Sequence, residues 1–300
     1  MARKIILCFT ILISTWASSV LAEELFSINE QQGIRAQSTG GAYRAVANGN
    51  DALYFNPAGL TSFRRFNLDA DWIYHDRSQF HWTGISLSDS LTSALAAGLD
   101  FHMGVDAQNA AELSYLVGFS LAYPLFDIFS IGATLKYAYL PKILSDEAVN
   151  QVTGDVGLLL KFPFGLSLAA VGYNVIPVPS KRLPLSLGFG AAFNLGGKPG
   201  VATTPTAAYS GFTIAVDWLI RDLTTKNKME HQLSVGGEYY FIDMIPVRLG
   251  YNWSMMDNSH RISAGLGLLF QVIEIDALFQ QDLNQLQYRS FGAALRIFFM

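Results

Sequence analysis

The sequence predicts an all-β protein, a fourteen-stranded antiparallel transmembrane β-barrel, on three observations. Composition is the first: 51% of the residues are hydrophobic and 13% aromatic, yet only 15% are charged, against roughly 25% in soluble chains. That leaves too little charge for an ordinary water-facing surface. Second, no stretch beyond the N-terminus reads as a spanning helix. The best candidate, Phe162 to Ser180, is interrupted by Pro163, Gly165, Gly172, Pro177 and Pro179, residues that break helices. Third, a period of two dominates from Phe66 onward, as in strands with two distinct faces. For an exported, weakly charged chain without a spanning helix, the remaining membrane solution is a closed barrel.

Export is read from residues 1–22, a secretory signal peptide. Arg3 and Lys4 form its positive start, Ile5 to Ile13 its apolar core, and Val20 and Ala22 suit cleavage before Glu23. A retained anchor is the alternative, though the apolar core is short for one. Cleavage would remove Cys8, the single cysteine, leaving no disulfide, thiolate nucleophile or cysteine metal site. The formal charge of −4 disfavours a nucleic-acid partner, which needs clustered positive charge.

Residues 23–65 come next and fit neither strand nor long helix. They end in "DALYFNPAGL", Asp51 to Leu60. Ala52, Leu53 and Phe55 supply apolar anchors there, and Pro57 with Gly59 predicts a stiff corner leading to the first strand.

The barrel is expected over residues 66–300. Fourteen alternating runs follow one another: 66–76, 80–90, 93–105, 112–125, 129–141, 151–162, 165–176, 184–195, 212–222, 231–242, 245–256, 260–270, 273–281 and 287–299. Their lengths suit the roughly 9 to 11 residues of a tilted spanning strand. In 80–90 and 165–176 the apolar phase slips, which predicts a bulge or a displaced boundary; a wall opening would be sought there. Connections after odd-numbered runs are longer than those after even-numbered ones, as outer loops and periplasmic turns are. The exception, Gly196 to Gly211, is rich in Gly, Pro and Thr and reads as a linker. A partner-docking loop and a missed strand pair are its alternatives. A large soluble β-sandwich or propeller would also alternate, but with a strongly polar second face. Here that face is mostly Gly, Ser, Ala and Thr, with a charge on most strands.

The inward-phase residues of interest are Asp69, Asp71, Asp100, His102, Lys136, Asp155, Glu238, Arg248 and Arg296. Buried charges need partners, so mutual ion pairing is one reading and a polar path through the lumen is the other. "YHDRSQFHW", Tyr74 to Trp82, brings His75, Ser78 and His81 within reach of one another at the outer rim. Yet no G-x-S-x-G or H-E-x-x-H motif occurs, and the five histidines lack ligand spacing. Neither an enzyme nor a cofactor is expected. The outward aromatics Trp72, Tyr74, Tyr123, Tyr137, Tyr139, Trp218, Tyr239 and Trp253 suit interfacial girdles.

"GIRAQSTGGAYRAVANGNDALYFNPAGL", Gly33 to Leu60, resembles the N-terminal segment of the FadL-type outer-membrane transporter superfamily, with Asn56, Pro57, Ala58 and Gly59 as its motif. The resemblance implies that residues 23–65 fold inside the barrel as a plug, or hatch. It also implies passive uptake of long-chain fatty acids or other hydrophobic compounds that leave sideways through the wall. "GGEYYF", "IPVRLGYN", "ISAGLGL" and "IEIDALFQ", within residues 236 to 280, look like C-terminal strands of the smaller PorV/PorQ-like branch. That branch implies a non-transporting scaffold for protein secretion or surface attachment. Expected partners are therefore membrane lipid, a hydrophobic small molecule, the barrel-assembly machinery during biogenesis and, on the second reading, a secreted protein. Localisation would be the outer membrane. The aromatic end usual in barrel-assembly signals is shifted here, since Met300 follows Phe299.

Overall fold

A computed structural model describes residues 33–107, 113–142, 147–195, 211–223, 229–242, 244–255 and 258–299. Residues 1–22, expected to be a signal peptide, residues 23–32 and the connection at 196–210 lie outside these. Among the described residues are fourteen strands: β1 (Phe66–His75), β2 (Phe80–Asp89), β3 (Ala96–Asp106), β4 (Leu113–Phe126), β5 (Phe129–Leu140), β6 (Val149–Lys161), β7 (Leu166–Tyr173), β8 (Ser186–Leu195), β9 (Phe212–Arg221), β10 (Glu230–Phe241), β11 (Ile245–Ser254), β12 (Ser259–Phe270), β13 (Ile273–Asp282) and β14 (Arg289–Phe299). Each pairs with its sequence neighbours, and β14 returns to β1 to close the barrel. The seam runs antiparallel and unbroken from Phe66 opposite Phe299 to His75 opposite Ser290. Closure leaves no strand edge to pair with another chain.

Two-residue alternation decides what each face meets. Along β1, Asn67, Asp69, Asp71 and Ile73 are buried while Leu68, Ala70 and Trp72 are exposed. The outer face carries Ile85, Leu249 and Leu266, exposed by 60%, 64% and 55%. Such a band of apolar side chains, repeated on strand after strand, is what a hydrocarbon environment covers. The barrel is of the outer-membrane type.

Residues 33–65 run inside this wall. They comprise α1 (Ile34–Ser38), a 3-10 turn at Gly49–Asp51, α2 (Ala52–Phe55) and a second 3-10 stretch at Pro57–Ser62. Nearly all of residues 33–60 are buried, which elements this short achieve only by packing against the strands. Backbone approaches backbone closely at Gly40, whose φ is 67°. A Cβ there would strike the backbone of Tyr251, and one on Gly250 would strike Gly40. Only glycine on both sides allows this contact.

Three strands, β2, β7 and β4, differ from expectation for physical reasons. β2 keeps ten consecutive pairs with both β1 and β3, so the phase slip there is not a bulge. Its inward face turns apolar at Phe80 and Trp82, and that made the pattern look shifted. β7 stops at Tyr173, before Asn174, whose φ of 54° ends the extended run. The register shift instead falls at Pro124 and Phe126 on β4, where proline cannot donate to the ladder.

Candidate functional site

The Asn56–Gly59 corner joins the inner segment to the wall. Asn56 is extended at φ −160°, which ends α2, and its side chain caps the next turn. Its Oδ1 accepts the Ala58 N–H at 3.1 Å, and its Nδ2 donates to the carbonyls of Arg44 and Leu158, both at 3.1 Å. All polar atoms of this buried amide are thereby used. Pro57 opens the turn, where a missing N–H costs nothing. Gly59 lies against the Ala47 carbonyl with no room for a Cβ. Ala52, Leu53 and Phe55 are buried beside it.

The nine inward residues singled out in the sequence are buried, and they fall into three groups. In the first, Arg248 donates to Glu238 at 2.5 Å, to Glu274 at 2.9 Å and to Asp276. Arg296 reaches Asp69 at 2.7 Å, Asp51 at 2.9 Å and Glu274 at 3.4 Å. Arg35 of α1 joins them, holding both oxygens of Glu238 at 2.5 and 2.8 Å. In the second group His102 lies between Asp71 at 3.4 Å and Asp100 at 3.6 Å. Tyr54 meets the ring edge-on at 5.0 Å and Trp82 stacks at 6.2 Å. Burial, followed by the carboxylates of Asp100 and Asp71, pushes the Tyr54 phenol well above its ordinary range. The third group is Lys136 with Asp155 at 2.8 Å.

These charges pair with one another and, through Arg35 and Asp51, with the inner segment. The segment's own contributors, Arg35, Arg44 and Asp51, were not among the predicted residues. Arg44 pairs with Asp217 at 3.0 Å and with the Tyr173 hydroxyl at 2.8 Å. Asp217 also accepts the N–H groups of Tyr43 and Arg44. No periodicity marks such residues, because their partners lie far along the chain. "YHDRSQFHW" is divided by the wall. His75 points inward and bonds Ser290 at 2.8 Å, while His81 lies outside against Tyr74, ring centroids 4.8 Å apart. The expected proximity of these histidines does not occur.

At the long-loop end the inner face changes character. Phe80, Trp82, Leu116, Ala138, Leu140, Val149 and Leu183 form one buried apolar cluster, with Val178 packed on it. Leu183 and Val178 come from the β7–β8 connection, which packs on the strands here. Arg182 fixes the connection by donating to the carbonyls of Leu140, Pro141 and Glu147 at 3.3, 2.8 and 3.1 Å. The wall is thinnest in hydrogen bonds beside it. β6 pairs with β7 only from Val156 to Lys161. Further out β6 meets the connection instead: Val175 N–H bonds the Gly154 carbonyl at 2.8 Å, Thr153 bonds the Ile176 carbonyl at 2.9 Å, and Asn174 N–H bonds Asp155 at 2.9 Å.

No family model matches the sequence, and no curated protein matches it. Solved structures match by fold. The CymD monoaromatic hydrocarbon channel aligns with a TM-score of 0.59 at 15% identity, covering 89% of this chain and 96% of that one. The Ralstonia pickettii toluene transporter TbuX gives 0.59 at 13% identity over 91% and 98%. The P. putida toluene transporter TodX gives 0.54 at 13% identity over 90% and 97%. This chain has their fold. All three are named as channels or transporters, none as an enzyme, and at these identities the likeness extends to architecture alone.

Proposed function

We propose that the protein passes hydrophobic compounds across the outer membrane by diffusion. Residues 23–65 act as the plug, residues 66–300 as the wall, and residues 1–22 as a cleaved signal peptide. The apolar mouth carries this reading: Phe80, Trp82, Leu116, Leu140, Val149 and Leu183 gather at the long-loop end of the lumen. A mouth for hydrophilic solutes would present polar groups, whereas apolar ligands take apolar walls with few polar contacts. Below the mouth, the ion pairs between the plug and the strands oppose straight passage. A sideways exit beside β6 and β7, where the ladder is interrupted, fits both features.

Toluene-like aromatics, after which the matching transporters are named, and long-chain fatty acids are the two ligand classes to compare. Purified protein in nanodiscs is expected to bind one of them saturably, and Leu116→Asn to weaken that binding. Failure of toluene, p-cymene and oleate alike to bind saturably would sink the transport reading. The scaffold reading rests on the resemblance of residues 236–280; recovery of a secreted partner with the full-length barrel would favour it.

A further inference from the structure

On the outer surface, one arrangement occurs three times. β2, β10 and β12 all begin at the long-loop end, and the second residue of each is a histidine: His81, His231 and His260. Each faces outward at the start of its strand and is half-buried. A tryptophan of the preceding strand stacks on each ring. Trp72 lies 5.9 Å from His81 at 24°, Trp218 lies 5.7 Å from His231 at 24°, and Trp253 lies 6.5 Å from His260 at 25°.

The hydrogen bonding repeats as well. Trp72 Nε1 donates to His81 Nδ1 and Trp218 Nε1 to His231 Nδ1, both at 3.2 Å. At the third position the Tyr251 hydroxyl stands 2.6 Å from His260 Nδ1. An indole N–H can only donate, so Nδ1 of His81 and of His231 must be the bare, accepting nitrogen. In the neutral ring the proton then sits on Nε2, which has no protein partner among the described residues in any of the three. The phenol of Tyr251 can take either role, and it allows the same tautomer.

These N–H groups stand where the apolar belt ends. Along the same strands the exposed side chains are Ile85 and Leu87, Leu233 and Val235, and Ile262 and Leu266, which require acyl chains. The histidines are the last outward residues before the loops, at headgroup level. We propose that His81, His231 and His260 are three lipid-binding positions, each donating its Nε2–H to a phosphoryl oxygen of a membrane lipid headgroup. A charged oxygen makes the stronger hydrogen bond of those available at that depth. The stacked indole fixes the ring plane, so the donor is oriented before the lipid arrives. His231 and His260 lie two strands apart, about 10 Å, which leaves room for two neighbouring headgroups.

The test uses the full-length barrel in nanodiscs, with retention of phosphatidylglycerol followed by native mass spectrometry. His81→Phe, His231→Phe and His260→Phe keep the stacking and remove the donor. Each is expected to weaken retention about fivefold, the worth of one hydrogen bond, without changing retention of a phosphate-free galactolipid. Unchanged phosphatidylglycerol retention in the triple variant would overturn the proposal. So would equal loss of the galactolipid, or displacement of the lipid by inorganic phosphate, which would mark a site for the free anion. Should the variants fail to fold, nitrogen NMR of the wild type decides. Nε2-protonated rings at His81 and His231 in contact with lipid phosphorus are expected; Nδ1 protonation or no such contact refutes the assignment.

Discussion

Arg296 on the last strand donates to Asp51 of the inner segment at 2.9 Å, across 245 residues of chain. The same guanidinium holds Asp69 on β1. One side chain therefore links the seam that closes the barrel to the segment inside it. Arg296→Met should leave Asp51, Asp69 and Glu274 short of their counter-charge. Loss of one member of a buried pair typically costs about 3–5 kcal/mol. Denaturant unfolding in micelles should show that loss. Arg296→Lys should recover only part of it, because an ammonium lacks the fork that serves three carboxylates.

Asn56 predicts a more local effect. Asn56→Ala removes the cap on Ala58 and both donations, to Arg44 and Leu158. The expected loss is about 2–3 kcal/mol, at roughly 1 kcal/mol for each hydrogen bond. Hydrogen exchange should rise at Ala58 before it rises in the strands. Asn56→Asp keeps the accepting oxygen but loses both donors and buries a charge, so it should be the worse variant. If it matches wild type, the hydrogen-bond account of this corner is wrong.

The β7–β8 connection beside β6 should respond to Asp155 in two distinguishable ways. Asp155 accepts the Asn174 N–H at 2.9 Å and pairs with Lys136 at 2.8 Å. Asp155→Asn preserves an acceptor for Asn174 and gives up the ion pair; Asp155→Ala loses both. Proteolysis between Asn174 and Leu185 should therefore accelerate several-fold more in the alanine variant. Equal rates in the two would show that the Asn174 contact does not hold the connection.

Leu116→Asn tests the apolar mouth. Replacing a buried leucine there by an amide forfeits about 1.5–3 kcal/mol of apolar contact. Binding of the preferred hydrophobic ligand should weaken at least about tenfold by titration calorimetry. The barrel should lose comparable stability, since Leu116 is buried in the folded chain, so the two proteins are compared under conditions where both are folded.

Tyr54 carries the pH prediction. Its phenol, pushed well above the ordinary value of 10.0 by burial and by Asp100 and Asp71, stays protonated in the folded chain after it has ionised in the unfolded one. The unfolded state then binds fewer protons, so stability falls as pH rises above 10.0, by up to about 1.4 kcal/mol per unit. Below that pH the phenol contributes no slope. Tyr54→Phe should remove this share of the alkaline decline, measured as unfolding midpoints between neutral and alkaline pH.

Much of the wall was legible because a strand reports its two faces in adjacent residues. Leu68 and Asp69 already declare which side is which. Reading failed where the faces stopped differing: at Phe80 and Trp82, where the lumen itself is apolar, and after Tyr173, where Val175 and Ile176 continue an apolar pattern without continuing the strand. The inner charges divided along the same line. Arg248 and Glu238 sit opposite each other on neighbouring strands, so phase alone placed them together. Arg35 and Arg44 belong to a segment without period, and the carboxylates they meet, Glu238 and Asp217, lie 203 and 173 residues away. Nothing local marks such a pairing. The histidine–tryptophan pairs were visible only as rim aromatics, since their diagonal contact depends on strand register.

The contact of Gly40 with Gly250, like that of Arg35 with Glu238, has a consequence for timing. A segment that precedes β1 docks on strands that are synthesised 203 residues or so later. Until β10 to β14 are in place, α1 has nowhere to settle and Asp51 has no counter-ion. Filling of the lumen and closing of the seam are thus coupled steps, and the seam at Phe66 and Phe299 would join around an interior that is already occupied.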